Sequence, residues 1–308
     1  MCKEGYITRG LIRKINPSTP FPLNLELIKG DILDIDSLER LYHDTDNKKT
    51  IMIHSAAYIS VRKNDLNCEH INIQGTKNII EICKKHSSKL VYISSVDALD
   101  NSKKIITEPD KFNAEIQFTS YARSKAIASQ AVLDAIKEGL DALIILPSAV
   151  AGPNDYRKGF IYDMLGIYLS GITLFSIKGG YDFVDVRDVA KATITAARIN
   201  TQNRCYILSN KYADITNIYC MLADYLNISK PKIKLPLWTL YAAIPFMHIW
   251  CYINKKECPL SSSAIKIMGQ SVNYSNERAK KDLGFNPRPL SDTFKDTVDF
   301  IVSQKSKH

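Results

Sequence analysis

No Cys-x-x-Cys pair, no run of five basic residues, no internal repeat and no low-complexity segment occurs in these 308 residues. Each absence closes a class. Without paired cysteines, or histidines at zinc-ligand spacing beside them, a zinc ribbon or finger is not expected. The seven cysteines, Cys2, Cys68, Cys83, Cys205, Cys220, Cys251 and Cys258, are odd in number in a chain too long to need disulfide staples. That fits a reducing, cytoplasmic compartment. The net charge is +9, yet Lys and Arg are dispersed and no aromatic residues interleave with them, so nucleic-acid binding is not the reading. No secretory signal opens the sequence. No apolar run of spanning length occurs either. The longest, Leu237 to Ile253, is interrupted by Pro245 and His248 and falls short of the ~20 residues a membrane span needs. It reads as a buried or groove-lining helix, with contact to a membrane surface through 237–253 as the alternative.

What is present is an ordinary soluble composition, 45% hydrophobic and 24% charged, long enough for one large domain or two moderate ones. In the first half, short apolar runs alternate with helical patterns. The runs are Tyr6 to Ile12, Leu25 to Ile28, Thr50 to Ala57, Leu90 to Ser95 and Ala142 to Leu146. They are continuously apolar, the pattern of parallel strands buried on both faces. Ligands of such sheets bind at the carboxyl ends of the strands. Arg13 and Lys14, Asp31 and Ile32, Ala56 and Ala57, Ser94 and Ser95, and Pro147 and Ser148 all fall there. After Pro147 the alternation loosens.

Tyr121-Ala122-Arg123-Ser124-Lys125 places a phenol and an ammonium one helical turn apart. A neighbouring positive charge favours phenolate, so the spacing predicts a Tyr121 pKa lowered toward neutrality and a proton carrier for a carbonyl or alcohol.

These stretches together resemble the extended short-chain dehydrogenase/reductases, the NAD-dependent epimerase/dehydratase family. The motifs are His54 to Ala57, Asn72 to Thr76, Val91 to Ser95, Tyr121 to Lys125, Leu146 to Pro153, Tyr181 to Ala190 and Leu283 to Leu290. Val96 to Leu99 and Tyr58 to Val61 look like the dihydroflavonol reductase and 3β-hydroxysteroid dehydrogenase branch. The resemblance implies a Rossmann-like α/β fold, a doubly wound parallel sheet over residues 1–146. A smaller substrate domain over 147–308 would return about 182–197 to the cofactor half. It implies that Tyr121 is the general acid or base, that Lys125 holds the nicotinamide ribose, that Ser95 binds the substrate oxygen and that Asn72 supports them. Asp31 and Ile32 would flank adenine, Ala56 and Ala57 would admit the cofactor backbone, Pro147 and Ser148 would lie by the nicotinamide, and Ser94 belongs to the cofactor-binding set. Read without it, Ser95 is a loop cap, Asn72 a helix-start residue, Asp31 turn chemistry, and Arg187 with Asp188 a solvated pair.

One part of the pattern is lacking. No Gly-x-x-Gly-x-x-Gly precedes Tyr6, so the fold's first strand, phosphate turn and helix are not expected in these residues; a wrong start site or a fragment is the expectation, with natural loss in a protein without dinucleotide chemistry as the alternative. A chain so shortened is expected to bind dinucleotide weakly and to be poorly stable. The expected activity is NAD(P)-dependent interconversion of an alcohol and a carbonyl on a small, hydrophobic substrate. Arg13 and Lys14 point to NADP, with NAD as the alternative. The rivals are a nucleotide-sugar epimerase or dehydratase and a non-catalytic binding or regulatory protein of the same fold. A small-molecule partner is expected, no metal, and a homodimer stays open.

Overall fold

Four apolar runs pair edge to edge in the computed structural model, which describes residues 5–15, 19–45, 48–60, 62–171, 174–253 and 261–305. The first half contains β1 (Thr8–Ile12), β2 (Leu25–Lys29), α1 (Ile35–Glu39), β3 (Ile51–His54), α2 (Leu66–Lys85), β4 (Lys89–Ile93), β5 (Ile105–Ile106), α3 (Ser120–Lys137) and β6 (Ala142–Pro147). The second contains β7 (Ala149–Ala151), α4 (Phe160–Leu169), β8 (Phe175–Ile177), β9 (Gly180–Asp185), α5 (Val186–Arg198), β10 (Cys205–Leu208), β11 (Lys211–Asp214), α6 (Ile215–Leu226), β12 (Ile233–Leu235), α7 (Trp238–Ile253), α8 (Ser262–Met268), β13 (Asn273–Tyr274), α9 (Glu277–Leu283) and α10 (Leu290–Lys305).

The central sheet runs β10-β6-β4-β3, every pair parallel. Its inner strands β4 and β6 are buried almost throughout, as continuous apolar runs with helices on both faces should be. On one face α2 and α3 pack on Leu90, Tyr92, Ile144 and Leu146. On the other, α5 packs Val189, Ala192 and Ala196 on Val91, Leu143 and Ile145. The chain therefore comes back to this sheet after residue 147, and the return extends past α5 to β10 and α9.

β1 and β2 form a separate two-stranded parallel sheet, and no described strand joins it to β3. The fold is Rossmann-like, with no first βα unit among the described residues. The strand next to that gap, β3, is only partly buried over Ile51 to Ile53.

Residues 149–235 add short strands in two further sheets, β11-β9-β7 and β12-β8. With α4, α6 and α10 these enclose a second core around Tyr168, Phe183, Tyr219 and Phe294. Helix α5 is locked at its start by charge. Asp185 accepts from Arg187 N at 2.8 Å, Arg187 reaches Asp185 and Asp296, and Arg288 holds Asp188 at 2.8 Å. The Arg187 and Asp188 pair thus ties α5 to α10 and to the Gly284 to Pro289 turn.

The Leu237 to Ile253 stretch is a helix that continues through Pro245. It is not buried: Trp238, Phe246 and Tyr252 are 67%, 76% and 86% exposed. Among the described residues no helix is long and apolar enough to cross a membrane.

Candidate active site

The carboxyl ends of β4 and β6 and the first turns of α3 meet at one place. Thr119 caps α3, its hydroxyl accepting from Ala122 N at 3.1 Å, and this fixes the helix start one residue before Tyr121. Lys125, one turn on, is 2% exposed. Its Nζ donates to the Ile93 carbonyl at 2.8 Å, at the end of β4, and lies 4.9 Å over the Tyr92 ring. A buried ammonium thus pins the helix to the sheet. Ser95 follows β4 and caps a short 3-10 turn, Val96–Ala98, accepting from Asp97 N at 3.1 Å. Its hydroxyl also lowers the pKa of the Tyr121 phenol, against the rise that burial brings. Tyr121, Lys125 and Ser95 are therefore brought together as the spacing and motifs implied.

Their electrostatics differ from the expectation. Tyr121 is not pushed toward phenolate. Burial raises its pKa above the ordinary tyrosine value, Asp97 adds to the rise, and the Ser95 hydroxyl opposes it. Lys125 Nζ sits 6.0 Å from the Tyr121 ring centre, and burial pushes its own pKa down to about 7. Desolvation disfavours charge on both groups and outweighs the attraction between them. At neutral pH Tyr121 is a neutral phenol with a proton to give.

Asn72 is brought close without touching the triad. Its Oδ1 accepts from Tyr58 N at 2.8 Å, and its Nδ2 donates to Tyr58 O and to Ser124 Oγ, each at 2.9 Å. It clamps the loop after β3 to the helix bearing Tyr121. The Ser94 and Ser129 hydroxyls are hydrogen-bonded to each other at 2.7 Å, which explains a serine at that position of α3. His54 is buried on Thr76 at 3.1 Å, its pKa lowered to about 3 by burial, so it is a neutral core residue.

The remaining expected positions line the strand ends. Ala56 is exposed and Ala57 partly so. Arg13 and Lys14 are exposed after β1, and Arg13 lies 3.9 Å from Asp31. Asp31 caps its own turn, accepting from Leu33 N at 3.0 Å. Ile32 instead packs inward against Gly75 of α2. Pro147 ends β6, and the buried Ser148 hydroxyl has no partner within hydrogen-bond distance.

Sequence reasoning gave no role to Asp97, Tyr181, Asp182 and Tyr274. Asp97 acts electrostatically on Tyr121, Tyr181 and Tyr274. Burial raises the Asp97 pKa and pushes that of Asp182 up to about 6. The sequence signals were the Asp in Val96-Asp97-Ala98-Leu99 and the Tyr181-Asp182 pair that opens the Tyr181 to Ala190 motif. Tyr274 comes from a segment far along the chain. Among the described residues no group of His, Cys, Asp and Glu could hold a metal.

With this geometry in view, the comparisons are specific. Residues 2–208 match the NAD dependent epimerase/dehydratase family, and the chain belongs to that family. A Synechocystis sp. protein provisionally named dihydroflavonol 4-reductase is 25% identical over 97% of this chain and 88% of its own length. Isoform 2 of the 3beta-hydroxysteroid-dehydrogenase/decarboxylase of Arabidopsis thaliana is 25% identical over 89% of this chain and 52% of its own. The UDP-glucuronic acid 4-epimerase of Bacillus cereus, solved with UDP-glucuronic acid and NAD, superposes with a TM-score of 0.73. It is 18% identical over 98% of this chain and 93% of that one, a likeness of fold.

Proposed function

We propose that this member of the NAD dependent epimerase/dehydratase family is an NAD(P)-dependent oxidoreductase that interconverts an alcohol and a carbonyl on a small, hydrophobic substrate. The observation that carries the reading is the buried Lys125, its Nζ on the Ile93 carbonyl at 2.8 Å at the end of β4 and 6.0 Å from the Tyr121 ring centre, two residues before Ser95. Ser95 donates to the substrate oxygen and holds it against the phenol. Tyr121 gives its proton to that oxygen in reduction and takes it back in oxidation. Lys125, kept dry beside Ile93, would hold the nicotinamide ribose and stabilise negative charge as it grows on the phenol. Asn72 positions the loop and helix that carry these groups.

The residues fit a nicotinamide dinucleotide in part. The exposed Ala56 and partly exposed Ala57 would leave room for its backbone, Ser94, Pro147 and Ser148 would border the nicotinamide, and the exposed Arg13 and Lys14, with Asp31 3.9 Å from Arg13, would hold the adenosine ribose. An Arg there accommodates the 2′-phosphate, which favours NADP over NAD. Amides of a Gly-rich turn for the pyrophosphate are not among the described residues. The dinucleotide supplies or accepts the hydride, and the chain supplies orientation and the proton. Residues 1–146 form the cofactor half and 147–308 mainly the substrate half. The exposed apolar helix α7 and the reductase and steroid-dehydrogenase names of the relatives support a hydrophobic substrate. The fold shared with a UDP-glucuronic acid epimerase supports a second reading, epimerisation of a nucleotide sugar.

The test is Tyr121→Phe in the chain carrying an added strand, Gly-rich turn and helix ahead of Gly5. Turnover should fall by on the order of 10²-fold or more while NADPH affinity stays within a few-fold. Turnover near that of the unsubstituted protein removes Tyr121 from the mechanism.

A further inference from the structure

Helix α7 is apolar and yet half outside the fold. Its 16 residues, Trp238–Ile253, include no Asp, Glu, Lys or Arg. A helix of that composition normally lies inside a core. Here one side is covered: Leu240 packs on the second core, the helix rests on α8, and Ile244 and Met247 are half-buried. Trp238, Tyr241, Phe246, Ile249, Tyr252 and Ile253 are exposed. At about 100° per residue these six share an arc of about 140°. An apolar stripe thus follows the outer face of the helix for roughly 24 Å. Trp238, Phe246 and Tyr252 alone leave on the order of 500 Å² of side-chain surface open. Soluble monomers rarely expose contiguous apolar patches of more than a few hundred Å².

Charge says what covers the stripe. From Ser229 to Gly269 the sequence holds six lysines and a single acid, Glu257. Two lysines stand at the root of α7. Lys178 N donates to Leu235 O at 2.9 Å, and Lys232 N to Leu174 O at 3.0 Å. Both side chains are exposed, and neither pairs with an acid among the described residues. Lys230 and Lys234 make surface pairs with Asp224 and Asp214 at 2.7 and 3.2 Å. Phe175 and Ile233, register partners of β8 and β12, are exposed beside them. Aromatic and aliphatic side chains rimmed by unpaired lysines match the surface of an anionic bilayer, phosphates outside and acyl carbons just beneath. A second copy fits less well. An isologous interface would bring the two sets of lysines together.

We propose that α7, with the lysines at its root, is a docking surface for an anionic lipid bilayer. The helix lies in the plane of the headgroups, its stripe sunk ~5–10 Å into the boundary with the acyl chains. It does not cross, because its 16 residues fall short of the ~20 a span needs. The lysines draw the chain to the surface, and the rings hold it there. Docking needs neither cofactor nor turnover, so its test is independent of the activity proposed above.

Both tryptophans of the chain, Trp238 and Trp250, belong to α7, so intrinsic fluorescence reports on this helix alone. The full chain is titrated with vesicles of phosphatidylcholine and phosphatidylserine in equal parts, and with phosphatidylcholine alone. Emission should shift to the blue with the mixed vesicles, at an affinity about tenfold or more above that for phosphatidylcholine. Lipids brominated near the headgroup end of their chains should quench it more than lipids brominated near the chain tips. Phe246→Ser with Tyr252→Ser should weaken binding about tenfold or more. Both side chains are exposed, so the melting temperature should stay that of the parent. Lys178→Glu with Lys232→Glu should weaken binding to the mixed vesicles alone. No blue shift, equal affinity for the two vesicles, stronger quenching from the chain tips, or full binding by the Phe246 and Tyr252 variant overturns the proposal. If that variant melts early, the parent's quenching profile decides. Emission already blue and insensitive to vesicles, in a species of twice the chain's mass, also overturns it and gives the stripe to a second copy.

Discussion

At the scale of single residues the site is governed by desolvation. Lys125 shows it best. Its pKa is about 7 in the folded protein, against about 10.4 in an unfolded chain. Between these values the unfolded state holds one more proton, so stability rises with pH across that window. Below the folded value both states carry the ammonium, and the full cost of burying it is present. Lys125→Met should therefore remove a slope of up to roughly 1.4 kcal/mol per pH unit above about pH 7. Urea melts across that range check it, and an unchanged slope in the variant contradicts a desolvated Lys125. Arg13 makes the second residue-scale prediction. In the chain with the added N-terminal unit, NADP(H) should bind more tightly than NAD(H), and Arg13→Ala should erase most of the difference. Equal binding before substitution contradicts an NADP preference. The sequence spacing gave the Tyr121 and Lys125 pairing correctly but the sign of the Tyr121 shift wrongly. The spacing fixes how near two groups lie along a helix, whereas burial depends on Ser95, Tyr92 and Asp97, which arrive from another strand end.

At the scale of elements, strands with long apolar runs were readable and short ones were not. β4 and β6 show their burial in composition alone, because both faces are covered. β7, β8, β12 and β13, of two or three residues each, carry no periodicity. They form only because neighbours align them. Helix starts were also misread: α2 begins at Leu66 because Asp65 caps it, accepting from Cys68 N at 3.0 Å, well before the apolar spacing around Ile79 becomes evident. Gly180 makes the element-scale prediction. A Cβ there would lie 2.0 Å from the Ala213 carbonyl oxygen, a backbone atom of the paired strand β11. Gly180→Ala must force β9 and β11 apart and should cost about 1–3 kcal/mol, the usual range for overpacking. Denaturant melting reads it directly. A variant as stable as its parent means the strands do not pair this closely.

At the scale of the whole molecule, Tyr121, Lys125 and Ser95 gather at the strand ends of a sheet that, among the described residues, has a gap. The gap follows from the strand order, with β1-β2 in one sheet and β10-β6-β4-β3 in another. The missing Gly-rich pattern before Tyr6 was visible in sequence, but the half-exposed faces of β1 and β3 became visible only in three dimensions. The exposed α7 is similar: its composition read as a buried helix, and the packing leaves Trp238, Phe246 and Tyr252 outside. The central claim is net redox chemistry on a hydrophobic substrate. It is tested most directly by following nicotinamide absorbance in the chain with the added N-terminal unit, offered NADPH with a hydrophobic ketone and, separately, UDP-sugars with NAD. The account predicts steady cofactor oxidation with the ketone and no reaction with the sugars. Epimerisation of a UDP-sugar with no net change in the cofactor, and no oxidation with the ketone, would contradict it.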